Sequence, residues 1–116
     1  MGLNRITLIG NIGKDVDFKF LEDGTAMARF PLATSESHKN RAGEKIESTE
    51  WHNVVCWGKI AELTRDHGCK GKHVYVEGAY RTRTYDDKDG IKRYFAEVHM
   101  QKIEFLGARQ EKSPNF

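Results

Sequence analysis

Cysteine is scarce in this 116-residue chain: Cys56 and Cys69 are the whole complement. That is too few for the disulfide frameworks of small secreted domains, so free thiols and a cytoplasmic setting are expected. Long apolar runs are also missing, and none approaches the length needed to cross a bilayer, so no membrane role is expected. Near the N-terminus, Arg5, Asn11 and Lys14 interrupt anything resembling the apolar heart of an export signal. Charge of one sign is not in large excess. A net charge of only +2 says little by itself about a polyanionic partner. No internal repeat is visible. What remains, 38% hydrophobic and 31% charged residues, suits one soluble domain with a modest core.

Turn signals separate short segments of alternating or β-branched character, which points to an all-β domain. Leu3 to Ile12 is the first predicted strand, with Gly10 and Gly13 as turn residues at its end. Phe18 to Leu21 continues it past a bend. Ala26 to Ser35 follows, and Pro31 within it requires a bulge, an edge, or a site whose missing amide no neighbour needs. The polar run Glu36 to Ser48, with Gly43 near its centre, reads as a long loop. Thr49 to Trp57 is the third strand. Lys59 to His67 is a short helix with Ile60, Leu63 and Thr64 on one side. His73 to Tyr85 and Lys92 to Leu106 are long strands joined by the hairpin signal Asp86-Asp87-Lys88-Asp89-Gly90. Five strands, with one short helix between the third and fourth, fit a Greek-key OB-fold barrel. A β-sandwich is the competitor, but it gives no reason for a helix at that point. The barrel domain is expected over residues 1–107, with 108–116 a short flexible tail.

Side chains alternate across a strand. On TEWHNVVCWGK, Trp51, Asn53, Val55 and Trp57 therefore share one face, opposite Glu50, His52, Val54 and Cys56. On HVYVEGAYRTRTY, Tyr75, Glu77, Ala79, Arg81, Arg83 and Tyr85 line one side. From Lys59 to Arg93 there are nine Lys or Arg against six Asp or Glu, and three of those acids sit in the predicted hairpin turn. Flat rings accept unstacked bases, and cations pair with backbone phosphates, so aromatic and basic rows are what unpaired nucleic acid requires. Plainer readings stand beside this one. Tryptophans in a small β protein are often core or subunit-contact residues, and alternating Arg and Thr is usually a solvated face.

Other chemistry finds little support. His67, Cys69 and His73 lack the spacing of a zinc site, so no metal is expected. Glu50 and His52 share a face without an evident nucleophile, and no catalytic residue is assigned. Cys56 reads as a small buried hydrophobe. Gly10 and Gly13 lack the lysine-serine ending of a phosphate loop.

The segments NRITLIGNIGKD, ARFPLATSES, TEWHNVVCWGKIAE, VYVEGAYRTRTY and KRYFAEV resemble, in order and spacing, the bacterial single-stranded DNA-binding protein family. The resemblance spans nearly all of Gly2 to Gly107. It implies an OB-fold barrel that binds single-stranded DNA without sequence preference, protecting exposed strands in replication, recombination and repair. It also implies a homo-oligomer, usually a tetramer, with no enzymatic activity and no cofactor, in a cytoplasmic, nucleoid-associated setting. By position, Trp51, Trp57 and Tyr85 correspond to base-stacking rings, the last two in places where the family commonly has phenylalanine and tryptophan. His38 stands where another stacking tryptophan is common, which implies a weaker and more pH-dependent contact. Arg5, Lys59, Lys70, Arg81 and Arg83 match or approximate phosphate-binding positions, while Asn53 replaces a frequent basic residue. His52 matches a histidine at subunit contacts. The family commonly continues into a flexible tail with an acidic, phenylalanine-tipped end. This sequence ends EKSPNF, so recruitment of partner enzymes through such a tip is not expected. Two rivals share the scaffold: a primosome-type accessory protein, and a structural oligomer with weak DNA binding.

Overall fold

A computed structural model describes residues 1–107, and the expected tail 108–116 lies outside them. Six strand segments and one helix follow in order: β1 (Ile6–Ile12), β2 (Asp17–Phe20), β3 (Ala26–Lys39), β4 (Lys45–Trp57), α1 (Lys59–His67), β5 (His73–Asp86) and β6 (Lys92–Leu106). They form one sheet in the order β1-β5-β6-β4-β3-β2, and a further β1–β3 pairing closes it on itself. β1 and β2 both run antiparallel to β3, at Asn11 to Ala33 and again at Asp17 to Arg29. They are two parts of one bent strand, so the barrel is five-stranded and the helix lies between its third and fourth strands, as expected. A sandwich of two sheets is excluded.

The bend explains Pro31. Its carbonyl accepts from Gly13 N at 2.8 Å, opposite the gap between β1 and β2. A strand residue's N–H and C=O point to the same side, so the amide proline lacks would face an interrupted ladder. Nothing is lost there.

The core holds the inward residues of each strand, among them Ile12, Phe30, Leu32, Val54, Cys56, Val74, Val76 and Val98. Alternation alone would reverse the two ends of β6. A bulge at Gln101, where the partners of Glu77 and Gly78 jump from Lys102 to Met100, resets the parity. Ile103 and Phe105 thus face the same interior as Val98 and Met100.

Four sequence expectations change. β1 starts at Ile6 rather than Leu3, because the Asn4 side chain takes over the pairing. It donates to Tyr80 O and accepts from Tyr80 N, both at 2.8 Å. Gly10 and Gly13 are not turn residues; they permit close packing. A Cβ on Gly10 would stand 2.9 Å from the Ala33 carbonyl carbon, where the barrel closes. On α1 the fully buried residues are Ala61 and Thr64, with Ile60 beside them, while Leu63 is exposed. The Thr64 hydroxyl donates to Ile60 O at 2.7 Å, which lets a polar side chain sit at the core boundary.

The fourth change is the largest. Glu36–Ser48 is not a loop: β3 and β4 stay paired without a register break out to Lys39 and Lys45. Every residue from Ser35 to Trp51 is exposed, so both faces of this ribbon meet water and polar residues suit both. The hairpin of β5 and β6, which its Asp-Gly signal foretold, extends into a second projecting ribbon. Both ribbons end in the same five-residue turn. In one, Asn40 accepts from Gly43 N through its carbonyl and from Glu44 N through its side chain; in the other, Asp87 accepts from Gly90 and Ile91 likewise. The turns place Gly43 and Gly90 at φ 82° and 78°, which disfavours any residue with a Cβ. β4 and β6 run parallel, Val54 beside Val98, so both ribbons leave the barrel at the same end.

Candidate nucleic-acid interface

The outward residues of β5, β6, β4 and β3 form one continuous face. On β4 it carries Trp51, Asn53, Val55 and Trp57, and β3 sets Ala33, Pro31, Arg29 and Met27 directly beside them. On β5 it carries Arg81, Arg83 and Tyr85, paired across to Glu97, Phe95 and Arg93 of β6. Parallel pairing of Val55 with His99 joins the two halves. Aromatic and basic rows predicted on two separate strands thus lie on one surface.

Three of the predicted stacking rings stand on this face. Trp51 is 60% exposed, Tyr85 55% and Trp57 39%. Trp51 is backed by Gly13, where a Cβ would come within 2.8 Å of Trp51 Cη2. The ring is held close against Gly13 on one side while most of it stays accessible. Trp57 is braced edge-on by His99, ring centroids 4.9 Å apart. These exposures exclude the reading in which the rings form the barrel core.

Between the rings lies a buried carboxylate. Glu97 is 5% exposed. Its oxygens stand 3.5 Å from Arg29 Nη1, 3.4 Å from Arg83 Nε and 3.0 Å from His99 Nε2. Burial pushes the Glu97 carboxyl up. The His99 hydrogen bond and the charges of Arg83 and Arg29 outweigh that and hold it below the ordinary value. The Arg83 guanidinium also lies 5.4 Å from the Phe95 ring centroid.

Two open clefts flank this network. One, of about 470 Å³, is walled by Trp51, Pro31, Asn53 and Arg29, with Lys14 and Asp17 at its edge. The other, of about 350 Å³, is walled by Tyr85, Phe95, Arg83 and Arg29.

The remaining predicted residues are more dispersed. Lys59 is exposed at the start of α1, two residues after Trp57. Lys70 is exposed before β5, and its amide donates at 3.0 Å to Asp15, another wall of the Trp51 cleft. Arg81 is exposed on the shared face. Arg5 is set apart: it precedes β1 and lies 3.8 Å from Glu77 Oε2. His38 is exposed opposite Ile46 on the ribbon. By strand parity it points to the other face from Trp51, so the two are not brought together. His52 is half-buried at the barrel mouth, its Nε2 3.0 Å from Thr34 Oγ1, beside Thr7 and Ile9. Among the described residues no His, Cys, Asp or Glu group is arranged to hold a metal, and no helix is long and apolar enough to cross a membrane.

Arg29, Phe95, Glu97 and His99 were missed by the sequence reading. The alternation of Arg93, Phe95, Glu97 and His99 on β6 was available as a signal. Arg29 had none, since only the β3–β4 register places it between the two clefts.

The model of the single-strand binding protein family matches residues 3–106. A single-stranded DNA-binding protein of Xylella fastidiosa is 42% identical over 110 residues, covering 94% of this chain and 81% of the relative. One from Neisseria meningitidis is 39% identical over 113 residues, covering 97% of this chain and 65% of the relative. Among solved structures, a Plasmodium falciparum SSB in complex with ssDNA superposes with a TM-score of 0.85 at 32% identity, over 91% of this chain and 97% of that one. With its closed barrel, its exposed ring face, the family model matched over residues 3–106 and a relative 42% identical, this chain belongs to the single-strand binding protein family.

Proposed function

We propose that this chain binds single-stranded DNA on the outer face of β5, β6, β4 and β3, by stacking bases and neutralising phosphates. Its family acts as sequence-tolerant DNA-binding proteins in replication, recombination and repair, not as enzymes. One observation carries the reading: Trp51, Trp57 and Tyr85 stand exposed on a single face with arginines fixed between them. Stacking contributes roughly 1–3 kcal/mol per base whichever base is present, so affinity arises without readout. Phosphate contacts add a salt-sensitive part. Arg81, Arg83, Lys59 and Lys70 take the phosphate role on or near this face. Arg5 and His38 contact a strand only where it continues past the face, around the barrel or along the ribbon. Titration with oligo(dT) tests the proposal. Tryptophan emission falls on binding and the affinity declines as salt rises; unchanged emission at low salt, with no retention of labelled DNA, rejects it.

The same barrel assembles as a homo-oligomer, and we assign it a tetramer. Ile9 is 53% exposed on the outside of β1 between Thr7 and Asn11, beside His52's hollow; a second copy would cover this one large apolar side chain, and this supports His52 as a subunit-contact residue. The location proposed with this reading is cytoplasmic and nucleoid-associated. Light scattering with and without long oligo(dT) measures subunit number and DNA stoichiometry together; a monomer at working concentration refutes the assembly.

A further inference from the structure

We propose that Arg29 binds the phosphate that passes between the two clefts, and that Glu97 is the positioning residue aiming Arg29 and Arg83 at it. The inference rests on DNA lying on the outer face. Arg29 is the residue that the Trp51 cleft and the Tyr85 cleft share. If neighbouring bases occupy the two clefts, the backbone linking them must cross the wall between, and the Arg29 guanidinium is that wall.

A carboxylate in the middle of a surface meant for a polyanion is at first sight misplaced. Its geometry resolves this. Glu97 engages one nitrogen of Arg29 and two of Arg83. A guanidinium carries five N–H donors, so donors on both arginines remain for a phosphate. Two arginines against one carboxylate leave a net positive site. Both are long side chains with much rotamer freedom, and anchoring them beforehand reduces the entropy lost when DNA arrives. Arg29 comes from β3 and Arg83 from β5, with Glu97 on β6 between them. The carboxylate therefore sets the spacing of two cations that no single strand could place.

The test measures oligo(dT) affinity of the full chain against salt. The wild-type protein must bind first; if it does not, the proposed function fails and not merely this inference. Given binding, Arg29→Gln, which keeps most of the side-chain length, is expected to lower the salt slope by about 0.7, the contribution of one phosphate on a single strand. That slope corresponds to about a fivefold change per decade of salt. Arg29→Lys, which keeps the charge, should retain the slope. A wild-type slope in Arg29→Gln overturns the Arg29 assignment. For Glu97, a double-mutant cycle separates positioning from scaffolding. Glu97→Gln should alter affinity in the wild-type background and have no further effect once Arg29 and Arg83 are both glutamine. An equal effect in both backgrounds shows that Glu97 does not act through the arginines. Glu97→Asp, which keeps the charge but withdraws it by one methylene, enters the same cycle should the glutamine variant fail to fold.

Discussion

The indole of Trp51 rests on the backbone of Gly13, so closely that a Cβ there would stand 2.8 Å from Trp51 Cη2 and 3.5 Å from Pro31 Cγ. Gly13 does not have a positive φ, so the constraint is space and not backbone conformation. Gly13→Ala should therefore lift the ring from its seat while leaving the barrel folded. The expected result is a change in tryptophan emission of the free protein and weaker oligo(dT) binding, with far-ultraviolet circular dichroism unchanged. Wild-type affinity would mean that the seat of Trp51 is irrelevant to binding.

Removal of the ring itself gives a larger effect. Trp51→Ala should weaken binding by roughly 1–3 kcal/mol, with a similar loss on oligo(dT) and oligo(dA) because stacking is indifferent to base identity. His38→Ala should cost less, since His38 pairs with Ile46 on the other face of the ribbon. Equal losses from the two variants would show that the strand follows both faces.

The position of these rings was legible because β4 alternates. Trp51, Asn53, Val55 and Trp57 fall on one side and Val54 and Cys56 on the other, a pattern written by the half-buried sheet itself. The helix Lys59–His67 was legible from the spacing of Ile60 and Thr64 and from the glycines that end it, although Leu63, read onto the same side, is exposed. The ribbon of Glu36–Ser48 was not: it is paired by backbone bonds and wet on both faces, so hydrophobicity carries no period there. The Arg29–Glu97–Arg83 network was hidden for another reason. Its members lie on three strands and meet only through register, and a one-residue slip would send each to the opposite face. The bulge at Gln101 is likewise a property of pairing, not of composition.

Arg83 separates charge from stacking. Its guanidinium touches both Glu97 and the Phe95 ring, and Arg83→Ala should lower the salt slope by about 0.7 if it neutralises one phosphate. Affinity loss with an unchanged slope would instead assign Arg83 to packing Phe95.

The thiols give an independent check on the barrel. Burial pushes the Cys56 thiol up to about 11, against a smaller opposing effect from Thr64, whereas Cys69 is exposed. The thiolate is the reactive form. At neutral pH a thiol reagent should modify one cysteine rapidly in the native protein and the second only on unfolding. Two rapid equivalents would place Cys56 outside a closed core.

Acid should release the Glu97 network in a definite direction. Its folded-state carboxyl is held below the ordinary value, burial opposing and the His99 bond, Arg83 and Arg29 prevailing. A depressed carboxyl contributes stability that is fully present above its unfolded pKa, about 4.3, and is lost as pH falls through the lower folded value. Guanidinium groups keep their charge in acid, so the change within this network belongs to Glu97. Asp23 and Asp87, also held low by backbone amides, with Arg93 adding to the effect at Asp87, have the same sign and occur in every variant. They cancel in a difference curve. Melting temperature measured against pH for wild type and Glu97→Gln should therefore differ most above about pH 5 and converge below the folded pKa of Glu97. Curves that remain parallel into strong acid would show that the carboxylate's charge contributes nothing to the folded barrel, and that its arginines are held by packing alone.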